Sequence, residues 1–306
     1  MDIPATSECM RKARRQGIVI PAFNIPFLPM LEPVVEALRS TDNFGLIAVA
    51  RPEWTKFEAK SPQAVFDEYQ RHKDERFTRL HLDHVPVVDE DNLRVDYETV
   101  IRSAIEIGYE SVMVDGSRLP LEENIQATRT IVEIAHAAGV AVEGELGAVF
   151  GHEDGPTPPY EELFASGRGF TAPEDARRFV EETHVDWLSV AIGNVHGQIS
   201  AVMRKHKKVE ARLNLERVDQ IYQATGIPLV LHGGTGIKKE YIRDSVRRGV
   251  AKINVATAIR QPYEAALKGS LEAARKATYD AAVQVLTEEL GLRGTRRLIN
   301  PEMGAA

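Results

Sequence analysis

Eight times along this chain a short, β-rich apolar run appears, and the runs are separated by amphipathic helical stretches; that count constrains the fold more than any other feature. The runs are Ile18–Asn24, Gly45–Arg51, Thr78–His84, Ser111–Asp115, Val140–Leu146, Trp187–Gly193, Pro228–His232 and Ala251–Ala256. Between them the apolar positions recur with helical period over Leu28–Arg39, Ser61–Lys73, Tyr97–Ile107, Pro120–Ala138, Pro173–Thr183, Leu215–Thr225 and Lys238–Arg248. Strands written as continuous Val, Ile and Leu runs, with helices between them, belong to a parallel sheet covered on its faces. Eight such units favour a closed (β/α)8 barrel over an open doubly wound sheet. The 306 residues suit one barrel domain, 1–306. Its C-terminal helical extension, 261–306, carries patterns over Tyr263–Lys268 and Leu271–Leu290 that cap the barrel or join a subunit interface.

Charge and composition narrow the function classes. The net charge is −7 and no run of like charge is long enough for a nucleic-acid arm or a polybasic membrane patch. The short basic stretches Arg204–Lys208 and Arg293–Arg297 read as solvated loop or helix ends. Cys9 is the single cysteine, so neither an intrachain disulfide nor a cysteine zinc cluster can form. No stretch approaches the roughly 18 apolar residues of a membrane helix, and the expected location is cytoplasmic.

Two segments break the rhythm: Arg51–Lys60, and the Gly- and Pro-rich Ala148–Phe170. Long loops in compact domains are usually functional, and one that follows a strand end falls on the barrel face that carries active sites. Thr171, just ahead of Pro173 and the acidic Glu174–Asp175, reads as a helix-start signal. At the strand ends stand Asp83 and His84 (third run), Asp115 (fourth), Glu145 (fifth), His196 (after the sixth), His232 (seventh) and Asn254 (eighth). In a barrel all of these meet at one mouth. Any one histidine there reads as a hydrogen-bonded residue, as do His72, His81, His136, His152, His184 and His206. Three converging on one rim suffice for a zinc site with open coordination positions, the mark of catalytic rather than structural zinc. Gly193–Gly197 and His232–Gly236 add glycine-rich turns whose backbone N–H groups can cradle an anion, although a tight βα turn alone would also use glycine.

At these residues the sequence resembles the class II fructose-bisphosphate aldolase family, including its tagatose-bisphosphate branch. The resemblance runs from about Ile18 to Arg260. It is carried by Pro21-Ala-Phe-Asn24, His81-Leu-Asp-His84, Ser111-Val-Met-Val-Asp-Gly-Ser117, Val142-Glu-Gly-Glu-Leu-Gly147 and Gly151-His-Glu-Asp154. It continues through Val190-Ala-Ile-Gly-Asn-Val-His-Gly197, Leu229-Val-Leu-His-Gly-Gly-Thr-Gly236 and Lys252-Ile-Asn-Val-Ala-Thr257. It implies reversible aldol cleavage of a phosphorylated ketose to dihydroxyacetone phosphate and an aldehyde through a zinc-stabilised enediolate. His84, His196 and His232 would hold Zn2+, and the family also admits a monovalent cation, Na+ or K+. Asp83 would handle the proton of the C4 hydroxyl and Glu153 the proton at the enediolate carbon. Asp115 and Glu145 would stand behind the ligands or at an alternate metal position. Asn24 would lie at the pocket edge and Asn254 against substrate, while Gly197, Gly233, Thr235 and Thr257 would hold the C1 phosphate. Homodimers or homotetramers are expected.

Four departures bear on the substrate. Where the family has a Ser-x-Gly turn after the second strand, this chain reads Ala50-Arg51-Pro52-Glu53-Trp54. Val85 replaces a glycine, Ser200 a lysine, and Ala256 an aspartate, the last in the tagatose manner. Arg260 keeps the place of the arginine for a far phosphate. Arg51 is a candidate for binding a substrate anion by its planar fork, and Trp54 for packing on a sugar face, unless both merely pack within a rearranged loop. The expectation is that the enediolate chemistry is kept while the aldehyde half differs from glyceraldehyde 3-phosphate. An isomerase or epimerase on the same barrel, or a non-catalytic partner subunit of an aldolase, remain the alternatives at this point.

Overall fold

All eight apolar runs form strands: β1 (Ile20–Asn24), β2 (Gly45–Ala50), β3 (Thr78–Pro86), β4 (Ser111–Asp115), β5 (Ala141–Leu146), β6 (Trp187–Val190), β7 (Leu229–Leu231) and β8 (Val250–Val255). They pair in sequence order, each parallel to the next, and β1 closes on β8 to complete the (β/α)8 barrel. The computed structural model describes residues 4–147, 160–194, 212–233 and 237–301.

Seven barrel helices follow the predicted periods within a few residues, and the eighth begins at Thr257, so that most of the Tyr263–Lys268 pattern expected in the extension belongs to the barrel instead. The eight are α2 (Leu31–Ser40), α4 (Pro62–His72), α5 (Tyr97–Ile107), α6 (Leu121–Ala137), α8 (Pro173–Thr183), α9 (Leu215–Thr225), α10 (Lys239–Arg248) and α11 (Thr257–Leu267). The extension contributes α12 (Leu271–Gln284), which packs against α11 and α2. Four further helices were not foreseen, α1 (Thr6–Gln16) and the short α3 (Arg51–Thr55), α7 (Tyr160–Ser166) and α13 (Thr295–Ile299). The segment read as an irregular break after β2 is therefore partly helical. Thr171 does not cap α8, whose N-cap is Ala172 with no side-chain cap. Instead its hydroxyl donates to the Leu146 carbonyl at 2.5 Å and accepts from the Ala191 N–H at 2.9 Å, tying the end of β5 to the end of β6. Among the described residues no helix is long and apolar enough to cross a membrane.

Side-chain alternation sorts the strands into two cores. Outward residues such as Phe23, Ile47, Val49, Leu80, Leu82, Leu188 and Ile253 pack under the helices. The lower interior is a separate apolar cluster of Ile20, Ala22, Phe44, Leu46, Trp187 and Val230, closed from below by Cys9, Met10 and Ala13 of α1 and by Ile299 of α13. Above this plug the inward positions turn polar, to His81, Asp83, Ser111, Glu143, Glu145, Ser189, His232 and Lys252, all at most 2% exposed. One end of the barrel is therefore sealed and the other is charged, which places the chemistry at the C-terminal mouth of the strands.

Candidate active site

The mouth is organised by an irregularity in β3. Strict alternation would send the neighbours Asp83 and His84 to opposite faces of the sheet. The β3–β4 register shifts between Leu82 and Val85, and His84 takes φ +33°, a left-handed conformation that a non-glycine residue holds only when its surroundings impose it. The bulge brings both side chains into the mouth. Asp83 there is almost fully buried and His84 retains 19% of its side-chain surface.

His84 and His232 face each other with ring centroids 4.4 Å apart. His84 Nδ1 lies 3.3 Å from Asp115 Oδ2 and 3.5 Å from Glu145 Oε2. His232 Nδ1 lies 3.5 Å from the same Glu145 oxygen. Two overlapping sets, Asp83 with His84 and His232, and His84 with Asp115 and Glu145, each bring ligand atoms within 4.8 Å of one another. The donor set fits a divalent cation on two observations. Glu145 Oε2 is buried without a hydrogen-bond partner, and burial together with Asp115 raises its pKa. Burial would depress His84, but Asp83, Glu145 and Asp115 overcome it and push its pKa up to about 10. The pocket thus demands positive charge, and one cation between neutral imidazoles meets that demand without setting two imidazoliums side by side.

Beneath this pair runs a buried charge network that the sequence reading did not identify. Glu143 accepts from His232 Nε2 at 2.9 Å, Trp187 Nε1 at 2.6 Å and Lys252 Nζ at 2.8 Å. Burial would raise the Glu143 carboxyl, but Lys252 and His232 hold it well below its ordinary range. The ring nitrogen of His232 that faces Glu143 is thereby fixed as the donor, leaving Nδ1 toward Glu145, an arrangement that orients a metal-ligating histidine. His81, read as a hydrogen-bonded residue, does bond through Nδ1 to Ser111 Oγ at 2.9 Å. Its Nε2 sits 3.6 Å from Asp83 and 3.5 Å from Glu143. Only the alternation Glu143, Glu145 on an apolar strand and the lone Lys252 in another could have hinted at the network.

Asp83 is held on its other side by two asparagines. Asn24 Nδ2 donates to Oδ2 at 2.9 Å, and Asn254 Nδ2 lies 3.0 Å from Oδ1 and 2.9 Å from Oδ2. Burial opposes ionisation, yet His84, Lys252 and His81 keep the carboxyl well below its ordinary value, so it is a carboxylate at neutral pH. The amide oxygens of both asparagines are buried and have no partner. Beside them, and missed in the sequence, lies Glu53 of α3, only 7% exposed.

The remaining candidates are placed as follows. Gly233 follows His232 with φ +68°, a conformation that favours glycine. Thr257 opens α11, which has no side-chain cap and no acid in its first turn. Arg260, one turn on, is bonded to Glu264 through Nη1 at 2.7 Å, with its guanidinium 5.2 Å from the centroid of the Phe57 ring. Arg51 pairs with Asp89 at 3.3 Å, and Trp54 packs, half-buried, against the outer core. Glu153, His196, Gly197, Ser200 and Thr235 lie outside the described residues.

The family fructose-bisphosphate aldolase class-II matches residues 5–293. The crystal structure of the YdjI aldolase from Escherichia coli K12 is 26% identical, with 96% of this chain and 99% of that one aligned at a TM-score of 0.73. Fructose-bisphosphate aldolase (Fba) from Campylobacter jejuni shares the fold at 19% identity and a TM-score of 0.71, over 93% of each chain. The chain is a lyase that belongs to the class II, metal-dependent fructose-bisphosphate aldolase family.

Proposed function

We propose that the protein catalyses reversible aldol cleavage of a phosphorylated ketose to dihydroxyacetone phosphate and an aldehyde, with Zn2+ as its metal. The observation that carries this reading is Asp83, a carboxylate held in a buried mouth by two asparagine amides and kept ionised by His84, Lys252 and His81, next to the paired imidazoles of His84 and His232. His84 and His232, with His196, would hold the cation, which supplies Lewis-acid polarisation of the substrate carbonyl.

The residues of the chain do the rest. In the cleavage direction Asp83 accepts the C4 hydroxyl proton as the C3–C4 bond breaks and its electron pair passes to the dihydroxyacetone phosphate half. The unpartnered Oδ1 atoms of Asn24 and Asn254 are acceptors beside that carboxylate and suit substrate hydroxyls. Glu153 returns a proton to the enediolate carbon in this reading, and Asp115 and Glu145 orient the ligand histidines. The uncapped start of α11 at Thr257, together with Gly233, Gly197 and Thr235, receives the C1 phosphate, where free N–H groups and the helix dipole favour an anion. Arg260 and Arg51 would meet the aldehyde half by exchanging Glu264 and Asp89 for a substrate anion. With the altered loop after β2, that half is not glyceraldehyde 3-phosphate, and the chain works as a homodimer or homotetramer.

The test is condensation. Zinc-loaded protein is incubated with dihydroxyacetone phosphate and a series of aldehydes, and new ketose phosphates are sought by mass spectrometry. A chelator-sensitive C–C product supports the reading. Interconversion of ketose phosphates with no C–C bond made or broken would favour an isomerase instead.

A further inference from the structure

Glu53 stands where the family's serine–glycine turn is replaced, and its surroundings are unusual for a surface-helix acid. Its Oε2 accepts from the Ala50 N–H at 2.7 Å and lies 3.5 Å from Asn24 Nδ2. The first contact is half of a capping box, since the N-cap, alanine, has no side-chain acceptor to complete it. Capping alone requires neither deep burial nor a second donor, and Glu53 has both. The second donor is the same Asn24 amide nitrogen that gives its hydrogen bond to Asp83 at 2.9 Å. An amide NH2 has two hydrogens, and here two carboxyl groups take them. That sharing fixes the amide flip: Nδ2 lies between Glu53 and Asp83, and Oδ1 is left without a protein partner.

The electrostatics agree. Two carboxylates bridged by one amide cannot both ionise cheaply in a buried site. Asp83, beside His84 and Lys252, keeps its charge, while burial, with Asp83 adding to it, pushes Glu53 up to about 8. The two acids are driven apart, one ionised and one protonated at neutral pH.

Resting on the aldolase reading, we infer that Glu53 is a positioning residue: it locks the Asn24 amide so that Asn24 holds Asp83 in line for the C4 hydroxyl and offers its own carbonyl to the aldehyde half of the substrate. A glutamine can reproduce each contact, because its carbonyl oxygen accepts from Ala50 and Asn24 as Oε2 does. An alanine cannot.

The experiment compares wild type, Glu53→Gln, Glu53→Ala, Asn24→Ala and the Glu53→Ala/Asn24→Ala double variant, all zinc-loaded and full-length. The reactions are condensation of dihydroxyacetone phosphate with glyceraldehyde and exchange of the dihydroxyacetone phosphate C3 proton in deuterated water. Glu53→Ala should lower the ratio of condensation to exchange about 10- to 100-fold, chiefly in kcat, because misplacing a reacting group costs rate rather than binding. Glu53→Gln should stay within about twofold of wild type, since its hydrogen bonds are retained. In the Asn24→Ala background the further loss from Glu53→Ala should vanish, as expected of residues that act through one contact. The Asn24 side-chain amide signals in an NMR spectrum, assigned by their disappearance in Asn24→Ala, should move in Glu53→Ala and hold their place in Glu53→Gln. Independent losses from the two positions, or a Glu53→Gln variant as damaged as Glu53→Ala, would overturn the inference. So would amide signals indifferent to Glu53. The amide readout needs no reaction, so a wild type that neither exchanges nor condenses sinks the aldolase reading while still judging this one.

Discussion

The two halves of the barrel interior serve opposite purposes. Below, Phe44, Leu46, Trp187 and Val230 fill the space with apolar volume and α1 closes it. Above sit Asp83 on β3, Glu143 and Glu145 on β5, Lys252 on β8 and His232 just past β7, and burial of charge is tolerated there because acids face bases: Glu143 meets Lys252 and His232, Asp83 lies 3.7 Å from Lys252, and Glu145 lies 3.5 Å from both His84 and His232. Trp187 joins the two, its ring in the apolar plug and its Nε1 bonded to Glu143. Stability and chemistry are thus carried by adjacent levels of one barrel interior. Substitutions at the two levels should therefore have separable effects.

The largest effect on the upper side is expected from Asp83→Asn. It keeps the shape but removes the base, and should cost about 10²- to 10⁴-fold in the condensation rate. Circular dichroism melting should show no comparable loss of stability. An equal loss of both would show that the two levels are not separable. On the lower side, Phe44→Ala removes a fully buried ring and should destabilise the fold by about 3–5 kcal/mol in urea unfolding. Proton exchange per folded molecule should persist at temperatures where the variant remains native. Glu143→Gln probes the boundary. It keeps the volume but cannot both accept from Lys252 and hold His232 in its present tautomer, and should weaken zinc binding about 10- to 100-fold in competition with a chromogenic chelator. Unchanged affinity would mean that Glu143 serves only the charge balance.

The smallest effect concerns Glu53. Its pKa rises from an ordinary 4.5 to about 8 in the folded chain, so the folded state keeps a proton that the unfolded state has released. The stabilisation is complete below pH 4.5 and is lost progressively as the pH rises to about 8. Glu53→Gln removes this titration, so its urea midpoint should fall less than that of wild type between pH 5 and pH 8. Parallel slopes would show that Glu53 is not held protonated.

The sequence revealed the parts whose signals are local. Strands and helices follow from apolar period, and Asp83, His84, Asp115, Glu145, His232 and Asn254 follow from their places at strand ends. The β3 bulge that makes Asp83 and His84 neighbours in the mouth was not legible, because alternation predicts the opposite and only the closed barrel imposes the left-handed turn. Glu143 and Lys252 are 109 residues apart and meet solely through barrel closure. Glu53 sat in a stretch with Pro, Trp and mixed charges that reads as loop, and its contact with Asn24 joins it to β1, 29 residues away, through the closed barrel. α1 was missed because only Cys9, Met10 and Ala13 face the barrel, and the rest of the helix is polar.

Proton chemistry next to the dihydroxyacetone phosphate carbonyl is the core of the proposed reaction. Zinc-loaded protein in deuterated water with dihydroxyacetone phosphate alone tests it directly, with loss of one C3 proton followed by NMR. Stereospecific exchange of a single proton, abolished by chelator and restored by zinc, is the expected result. A metal-loaded protein that leaves both C3 protons untouched would overturn the aldolase reading.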